Sequence, residues 1–109
     1  MRIGIVGAGA IGATAAELFE EAGHRVVVGS RTNGRVDEAL AFGEIVLLAI
    51  PFGAYPTLPP EPLDAKIVVD ATNYYPGRDG HVGELDGGHT TSSELIAAHL
   101  PNARVVNIG

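Results

Sequence analysis

The sequence predicts an α/β fold, a doubly wound parallel sheet of about five strands with shortened crossovers. Short apolar runs recur along the chain, glycine or proline ends most of them, and segments of helical periodicity stand between them. The chain has 109 residues, of which 46% are hydrophobic and 15 are glycine. This length suits one compact unit with one core, so we expect residues 1–109 to form a single domain.

The first strand, the first helix and the second strand follow one another without a linker. An apolar run at residues 3–6 is closed by a glycine turn, and the next segment carries apolar side chains at helical spacing. These side chains are Ile11, Ala15, Leu18, Phe19 and Ala22. Gly23 ends the helix, and the β-branched run at residues 25–29 is typical of a parallel strand that is buried on both faces. We therefore predict one complete strand–helix–strand unit.

The rest of the chain continues this alternation. We predict a helix at residues 35–42, strands at 44–50 and 66–70, a helix from a capping box at 91–94 to about His99, and a last strand at 104–108. Prolines between Tyr55 and Pro62 remove backbone donors, so we expect little helix in that crossover. Right-handed crossovers between successive strands favour a parallel sheet over a barrel or a sandwich.

Charge and composition exclude several function classes. The formal net charge is −6 and the chain has no cysteine. We therefore expect no nucleic-acid or membrane partner, and no disulfide, thiolate metal site or cysteine nucleophile. The four histidines lack the spacing of metal ligands, so we predict no metal site. The N-terminal residues lack the apolar core of a signal peptide and no apolar run reaches membrane-spanning length, so we expect a cytoplasmic protein.

A glycine-rich turn between the first strand and the first helix is the strongest functional motif. Residues 7–12 read G-A-G-A-I-G, and this pattern in a strand–turn–helix context is typical of Rossmann domains that bind dinucleotides. Its glycines permit the tight turn, the approach of the backbone to the pyrophosphate, and close helix packing. The helix N-terminus adds N–H groups and partial positive charge. The predicted pyrophosphate-binding residues are Gly7, Gly9, Ala10, Ile11 and Gly12.

The residues after the second strand favour NADP(H) over NAD(H). NAD-binding domains carry an acidic residue here that bonds the adenosine ribose, whereas NADP-binding domains accommodate a 2′-phosphate with arginine. In this chain Ser30, Arg31 and Thr32 follow the strand, and Arg35 lies nearby. Hydroxyl and guanidinium groups suit a phosphate, so we predict that these four residues bind it. The alternative is that they are ordinary solvated loop residues.

Several segments read together resemble the NADPH-dependent coenzyme F-420 oxidoreductases. They are the glycine turn and residues 29–31, 49–52 and 70–73, and the runs at 83–88 and 91–95 are similar to bacterial members of that family. The resemblance implies hydride transfer between NADPH and the deazaflavin F-420, with the two rings stacked at the carboxyl ends of the strands. It also implies that Ile50, Pro51 and Asn73 lie beside the nicotinamide and that Ala49 belongs to the cofactor site.

Three departures from the family pattern affect this expectation. Between Arg31 and Glu44 there is room for one helix, where the family has a further helix and strand. We therefore expect the strand ending at Gly29 to lie at the sheet edge and one wall of the adenine pocket to be missing. The prolines shorten a second crossover, and the last strand ends without the helical part that completes the deazaflavin pocket and the dimer interface in the family. The expectation is a chain that binds NADP(H) and is incomplete as an enzyme.

Three functions are left open by the sequence. The leading one is an NADP(H)-dependent oxidoreductase with F-420 as co-substrate. We predict no catalytic acid or base for it, because hydride transfer depends on positioning above all. The second is a non-catalytic module that senses or stores NADP(H), or works with a partner chain. The third is a related imine or metal-ion reductase, and assembly as a homodimer is open in each case.

Overall fold

The computed structural model describes residues 1–7, 9–72 and 92–107. Within these ranges the strands and α-helices are β1 (Arg2–Val6), α1 (Ala10–Glu21), β2 (Arg25–Gly29), α2 (Val36–Phe42), β3 (Ile45–Leu48), β4 (Ile67–Asp70), α3 (Ser92–His99) and β5 (Arg104–Asn107). Two 3-10 helices, Phe52–Thr57 and Glu61–Leu63, join β3 to β4. The shortened crossover predicted from the prolines is confirmed, because 3-10 turns stand there in place of an α-helix.

The described strands form one parallel sheet of five strands in the order β2-β1-β3-β4-β5. The order reverses between β1 and β3, so the chain winds outward in both directions from this point. Helix α1 packs on one face, and α2 and α3 pack on the other. The predicted doubly wound α/β fold is therefore confirmed. The carboxyl ends of β1 and β3 lie side by side at the reversal, where ligands of such sheets bind.

Strand β2 lies at the edge of the sheet, as the short connection to β3 predicted. Its three valines, Val26, Val27 and Val28, are only half-buried. The prediction that this strand is buried on both faces is therefore wrong. An edge strand has one hydrogen-bonded neighbour, so the side chains near its outer flank stay in partial contact with solvent.

Helix α1 faces the sheet with only part of the apolar set that predicted it. The residues that face the sheet are Gly12, Ala15, Ala16 and Phe19. Of the apolar residues at helical spacing, Ala15 and Phe19 pack inward, whereas Ile11 and Leu18 are 54% and 59% exposed and Ala22 is exposed as well. The cause is the close approach of α1 to the end of β1 at Gly12. This approach turns the small residues Gly12, Ala15 and Ala16 inward and leaves Ile11 and Leu18 on the outer side of the helix.

The main core lies between α2, α3 and the sheet. Its fully buried side chains are Leu40, Val46, Leu48, Leu63, Val68, Ile96 and Leu100. Helix α2 reaches β1 at very short range, because a β-carbon on Gly4 would overlap the carbonyl oxygen of Ala39. None of the described helices has the length and apolar character needed to cross a membrane.

The carboxyl-terminal end of α2 is capped by Lys66, which precedes β4. Its Nζ donates hydrogen bonds to the carbonyl oxygens of Leu40 at 2.6 Å and Ala41 at 3.1 Å. A positive charge at this end of a helix also interacts favourably with the helix dipole. Burial lowers the pKa of Lys66, and the charge of Arg2 lowers it further. The contact holds α2 in place over the strands on which it packs.

Candidate dinucleotide-binding site

The glycine turn joins β1 to α1 at the carboxyl edge of the sheet. Gly7 has a φ of 114°, a left-handed value that favours glycine, and its N–H donates to the carbonyl oxygen of Gly29 at 2.8 Å. A β-carbon on Gly7 would overlap the carbonyl group of Ala49, and one on Gly12 would overlap that of Gly7. Folding therefore requires glycine at both positions.

Gly9 differs from these two glycines, because nothing in the described structure requires a glycine there. Its φ of −73° suits any residue, and a β-carbon would meet no described atom within 4 Å. Gly9 is the N-cap of α1 and, as a glycine, has no side chain that could cap the helix. The first N–H groups of a helix have no acceptor inside it. Open space and hydrogen-bond donors therefore coincide at this point, as a phosphate group needs.

The turn after β2 is organised by Asn33, a residue that the sequence analysis did not select. Its Oδ1 accepts hydrogen bonds from the N–H groups of Ser30 at 2.9 Å and Arg35 at 2.8 Å. Its Nδ2 donates to the carbonyl oxygen of Val28 at 3.0 Å, and its N–H donates to Ser30 Oγ at 3.2 Å. A serine followed by asparagine three positions later is typical of such side-chain turns, and this spacing was the available signal.

A cavity of about 780 Å³ connects the two turns across the carboxyl ends of β1, β2 and β3. This volume is typical of a small-molecule site. Eight residues predicted for the cofactor line it: Gly7, Gly9, Ser30, Arg31, Thr32, Ala49, Ile50 and Pro51. Ser30 is 8% exposed, whereas Arg31 and Thr32 are exposed to solvent. The fold thus brings the glycine turn, the turn after β2 and the residues after β3 to one cavity.

The other predicted site residues have different surroundings. Three of them belong to α1 and do not line the cavity: Ala10, Ile11 and Gly12. Arg35 pairs with Glu38 instead, and the hydrogen bond between them raises the pKa of Arg35 and lowers that of Glu38. Arg35 is not among the residues that line the cavity, and its contact with a 2′-phosphate stays a prediction. Asn73 lies outside the described residues.

Six lining residues were not predicted: Val6, Val36, Gly53, Ala54, Thr57 and Leu58. Val36 begins α2, and the last four residues come from the first 3-10 helix and the residue that follows it. The first 3-10 helix thus gives the cavity a largely apolar wall. Sequence periodicity could not indicate this wall, because closely spaced prolines remove the helical pattern on which such a prediction depends.

Comparisons with known proteins bear on the fold of this chain. No family model matches it, and no curated protein matches it. Among solved structures, the Streptomyces aurantiacus imine reductase is similar, with a TM-score of 0.68 and 18% sequence identity over 98% of this chain and 40% of that chain. The two share a fold. The chain spans 40% of the length of this reductase, and the resemblance to the F-420 oxidoreductases stays a prediction.

Helix α3 contacts the cavity wall formed by the first 3-10 helix and Leu58. His99, the last residue of α3, donates from Nε2 to the carbonyl oxygen of Leu58 at 2.7 Å. The ring of Tyr55 meets the His99 ring edge to face, with centroids 5.6 Å apart. These contacts explain how a segment with little regular hydrogen bonding keeps a defined position beside the cavity.

A buried polar cluster lies at the carboxyl end of β4. Asp70 is 1% exposed. Its Oδ1 accepts hydrogen bonds from the N–H of Thr72 at 2.8 Å and from the Thr72 hydroxyl at 2.6 Å, and its Oδ2 accepts one from the Ser93 hydroxyl. Asn107 Nδ2 donates to Ser93 Oγ at 2.6 Å. The cluster joins β4, α3 and β5, and the described parts of the chain contain no group of residues that could hold a metal ion.

Proposed function

We propose that this chain is the NADP(H)-binding domain of an oxidoreductase. The observation that carries the proposal is the cavity that joins Gly9 to the turn after β2, at the point where the strand order reverses. In the proposed complex the pyrophosphate lies against Gly9 and the first turn of α1. The adenosine ribose lies against the turn after β2, and the nicotinamide lies beside Ile50 and Pro51.

Charge supports a cofactor with a third phosphate. The chain has a net charge of −6, yet the ionisable side chain among the described lining residues is the cation Arg31. An acid at the end of β2 would bond the ribose of NAD(H) and repel a 2′-phosphate. The Arg31 guanidinium and the hydroxyls of Ser30 and Thr32 instead offer donors that suit phosphate oxygens. We therefore infer a preference for NADP(H).

The nicotinamide side of the proposed site is apolar. Ala49, Ile50 and Pro51 follow β3, and Ile50 packs against the main core. Bound NADPH would supply a hydride with its electron pair. The part of the chain described here would orient the nicotinamide ring and exclude water from its neighbourhood, which is what hydride transfer requires of a protein.

The electron acceptor is proposed on two different grounds. The sequence motifs resemble the F-420 oxidoreductases, which favours a deazaflavin. The similar solved structure is an imine reductase, which favours an imine. The second candidate function, which the sequence leaves open, is a module that binds NADP(H) without transferring hydride.

Turnover assays with the purified chain distinguish these functions. NADPH is offered with F-420, a flavin, a ferric salt or a cyclic imine, and the absorbance of the reduced nicotinamide is followed. The F-420 oxidoreductase function requires NADPH oxidation with F-420 and its loss in Gly9→Ala. Turnover with the imine alone would replace the proposed acceptor. Tight NADPH binding without turnover would favour the non-catalytic module, and absence of NADPH binding would contradict the proposal as a whole.

A further inference from the structure

We propose that Asn33 is a positioning residue that sets the preference of this site for a 2′-phosphorylated cofactor. The inference rests on the proposed NADP(H) function and adds to it a residue that does not itself line the cavity. Asn33 would act through Ser30, Arg31 and Thr32, which do line it. Three contacts of the Asn33 side chain and one of its backbone carry the argument.

The carboxamide of Asn33 replaces a neighbouring strand at the outer edge of β2. In a parallel sheet, a residue on the neighbouring strand donates its N–H to the carbonyl oxygen of one residue. Its own carbonyl oxygen accepts the N–H of the residue two positions further along that same strand. Asn33 does this with its side chain, because Nδ2 donates to Val28 at 3.0 Å and Oδ1 accepts from Ser30 at 2.9 Å. These two residues flank Gly29, whose carbonyl group bonds inward to Gly7. The edge strand is thus paired on both sides at its last step.

The same residue holds the far end of the turn. Asn33 Oδ1 also accepts the N–H of Arg35 at 2.8 Å, and the N–H of Gly34 donates to the carbonyl oxygen of Ser30 at 3.0 Å. Ser30 Oγ accepts the N–H of Asn33, so its own hydrogen is left to donate to a ligand. Arg31 and Thr32 therefore lie between two fixed points. If the two ends of the turn were not held by these hydrogen bonds, the turn would lose more conformational entropy on binding a phosphate.

The pattern requires a short side chain with both a donor and an acceptor. Alanine at position 33 would remove all three side-chain bonds. Aspartate would keep the acceptor oxygen, but it would set a second oxygen against the carbonyl group of Val28 and add a negative charge beside the proposed phosphate. The two substitutions therefore separate loss of order in the turn from added repulsion.

The test is the affinity of Asn33→Ala and Asn33→Asp for NADPH and for NADH, measured by titration. We expect Asn33→Ala to weaken NADPH about tenfold more than NADH, and Asn33→Asp to widen this difference. The matched control is Asn102→Asp, which makes the same charge change on an exposed turn before β5. We expect the control to leave both affinities unchanged. Amide exchange gives a second readout, since the N–H of Ser30 should exchange faster in Asn33→Ala.

Equal weakening of the two cofactors, unchanged affinities, or unchanged protection of the Ser30 N–H would overturn the inference. Failure of both variants to fold would also overturn it, because Asn33 would then have a structural role alone. Failure of the proposed function has a different signature, since the unmodified chain would show no preference for NADPH. If Arg31→Ala removes the preference for NADPH over NADH and the Asn33 variants retain it, the role of Asn33 is refuted and the proposed function stands.

Discussion

The backbone of Gly12 lies so close to the carbonyl oxygen of Gly7 that a β-carbon at position 12 would overlap that oxygen. The contact joins the first turn of α1 to the end of β1. It brings the N-terminus of α1 to the carboxyl edge of the sheet, where the cavity lies between the ends of β1 and β3. The packing of one helical turn therefore determines the geometry of the proposed phosphate site.

Replacement of Gly12 by alanine should destabilise the fold. The added methyl group has to displace a backbone carbonyl group rather than a flexible side chain, and we expect the free energy of unfolding to fall by about 2 kcal/mol. Urea unfolding followed by circular dichroism measures this change. An unfolding free energy equal to that of the unmodified chain would contradict the close contact between α1 and β1.

Replacement of Gly9 by alanine should leave the stability unchanged and lower the affinity for NADPH. The methyl group meets no described atom within 4 Å and the backbone conformation suits alanine, so the stability should stay within about 0.5 kcal/mol. The methyl group would instead occupy the space proposed for the pyrophosphate, and NADPH affinity should fall by about tenfold or more. A fluorescence titration measures the affinity, and wild-type affinity in this variant would argue against a phosphate at Gly9.

Replacement of Arg31 by alanine should weaken NADPH far more than NADH. A charge-assisted contact to a phosphate contributes about 2 kcal/mol, so we expect about a thirtyfold loss for NADPH and little change for NADH. Arg25→Ala is the matched control, because Arg25 is also exposed and lies at the amino-terminal end of β2, the end away from the cavity. Equal losses for the two cofactors would refute the phosphate role of Arg31.

The features predicted correctly from the sequence have local causes. The apolar runs and the glycine turn predicted β1, α1 and β3 where they occur, and the short connection after β2 predicted its edge position. The orientation of α1 was not predictable in this way. Hydrophobic periodicity includes the exposed Ile11 and Leu18 as well as the inward Ala15 and Phe19, because the side of α1 that faces inward depends on the backbone contact between Gly12 and Gly7.

Some site residues likewise have a local signal in the sequence, whereas others depend on contacts between distant parts of the chain. The place of Ser30 and Arg31 in the cavity could be predicted because they directly follow β2, whose end is visible in the sequence. The pairing of Arg35 with Glu38 has the i, i+3 spacing of a helical ion pair, which is a local signal in the sequence. The wall that includes Leu58 depends on a contact with His99, 41 positions further along the chain, for which no local signal exists.

Replacement of Asp70 by asparagine should lower the free energy of unfolding by about 1–3 kcal/mol. The carboxylate accepts three hydrogen bonds in a buried place, and an amide nitrogen cannot accept the one from the Ser93 hydroxyl. Asp64→Asn makes the same change at an exposed position just before β4 and should have little effect. Equal stability of the two variants in urea would show that the polar cluster does not hold β4 to α3.

The proposed preference for NADP(H) is measured by the dissociation constants of the unmodified chain for NADPH and NADH, titrated side by side at one ionic strength. We expect NADPH to bind more tightly by about tenfold or more, because Arg31 and the hydroxyl groups beside it would contact the 2′-phosphate. Equal affinities, tighter binding of NADH, or no binding of either cofactor would contradict it.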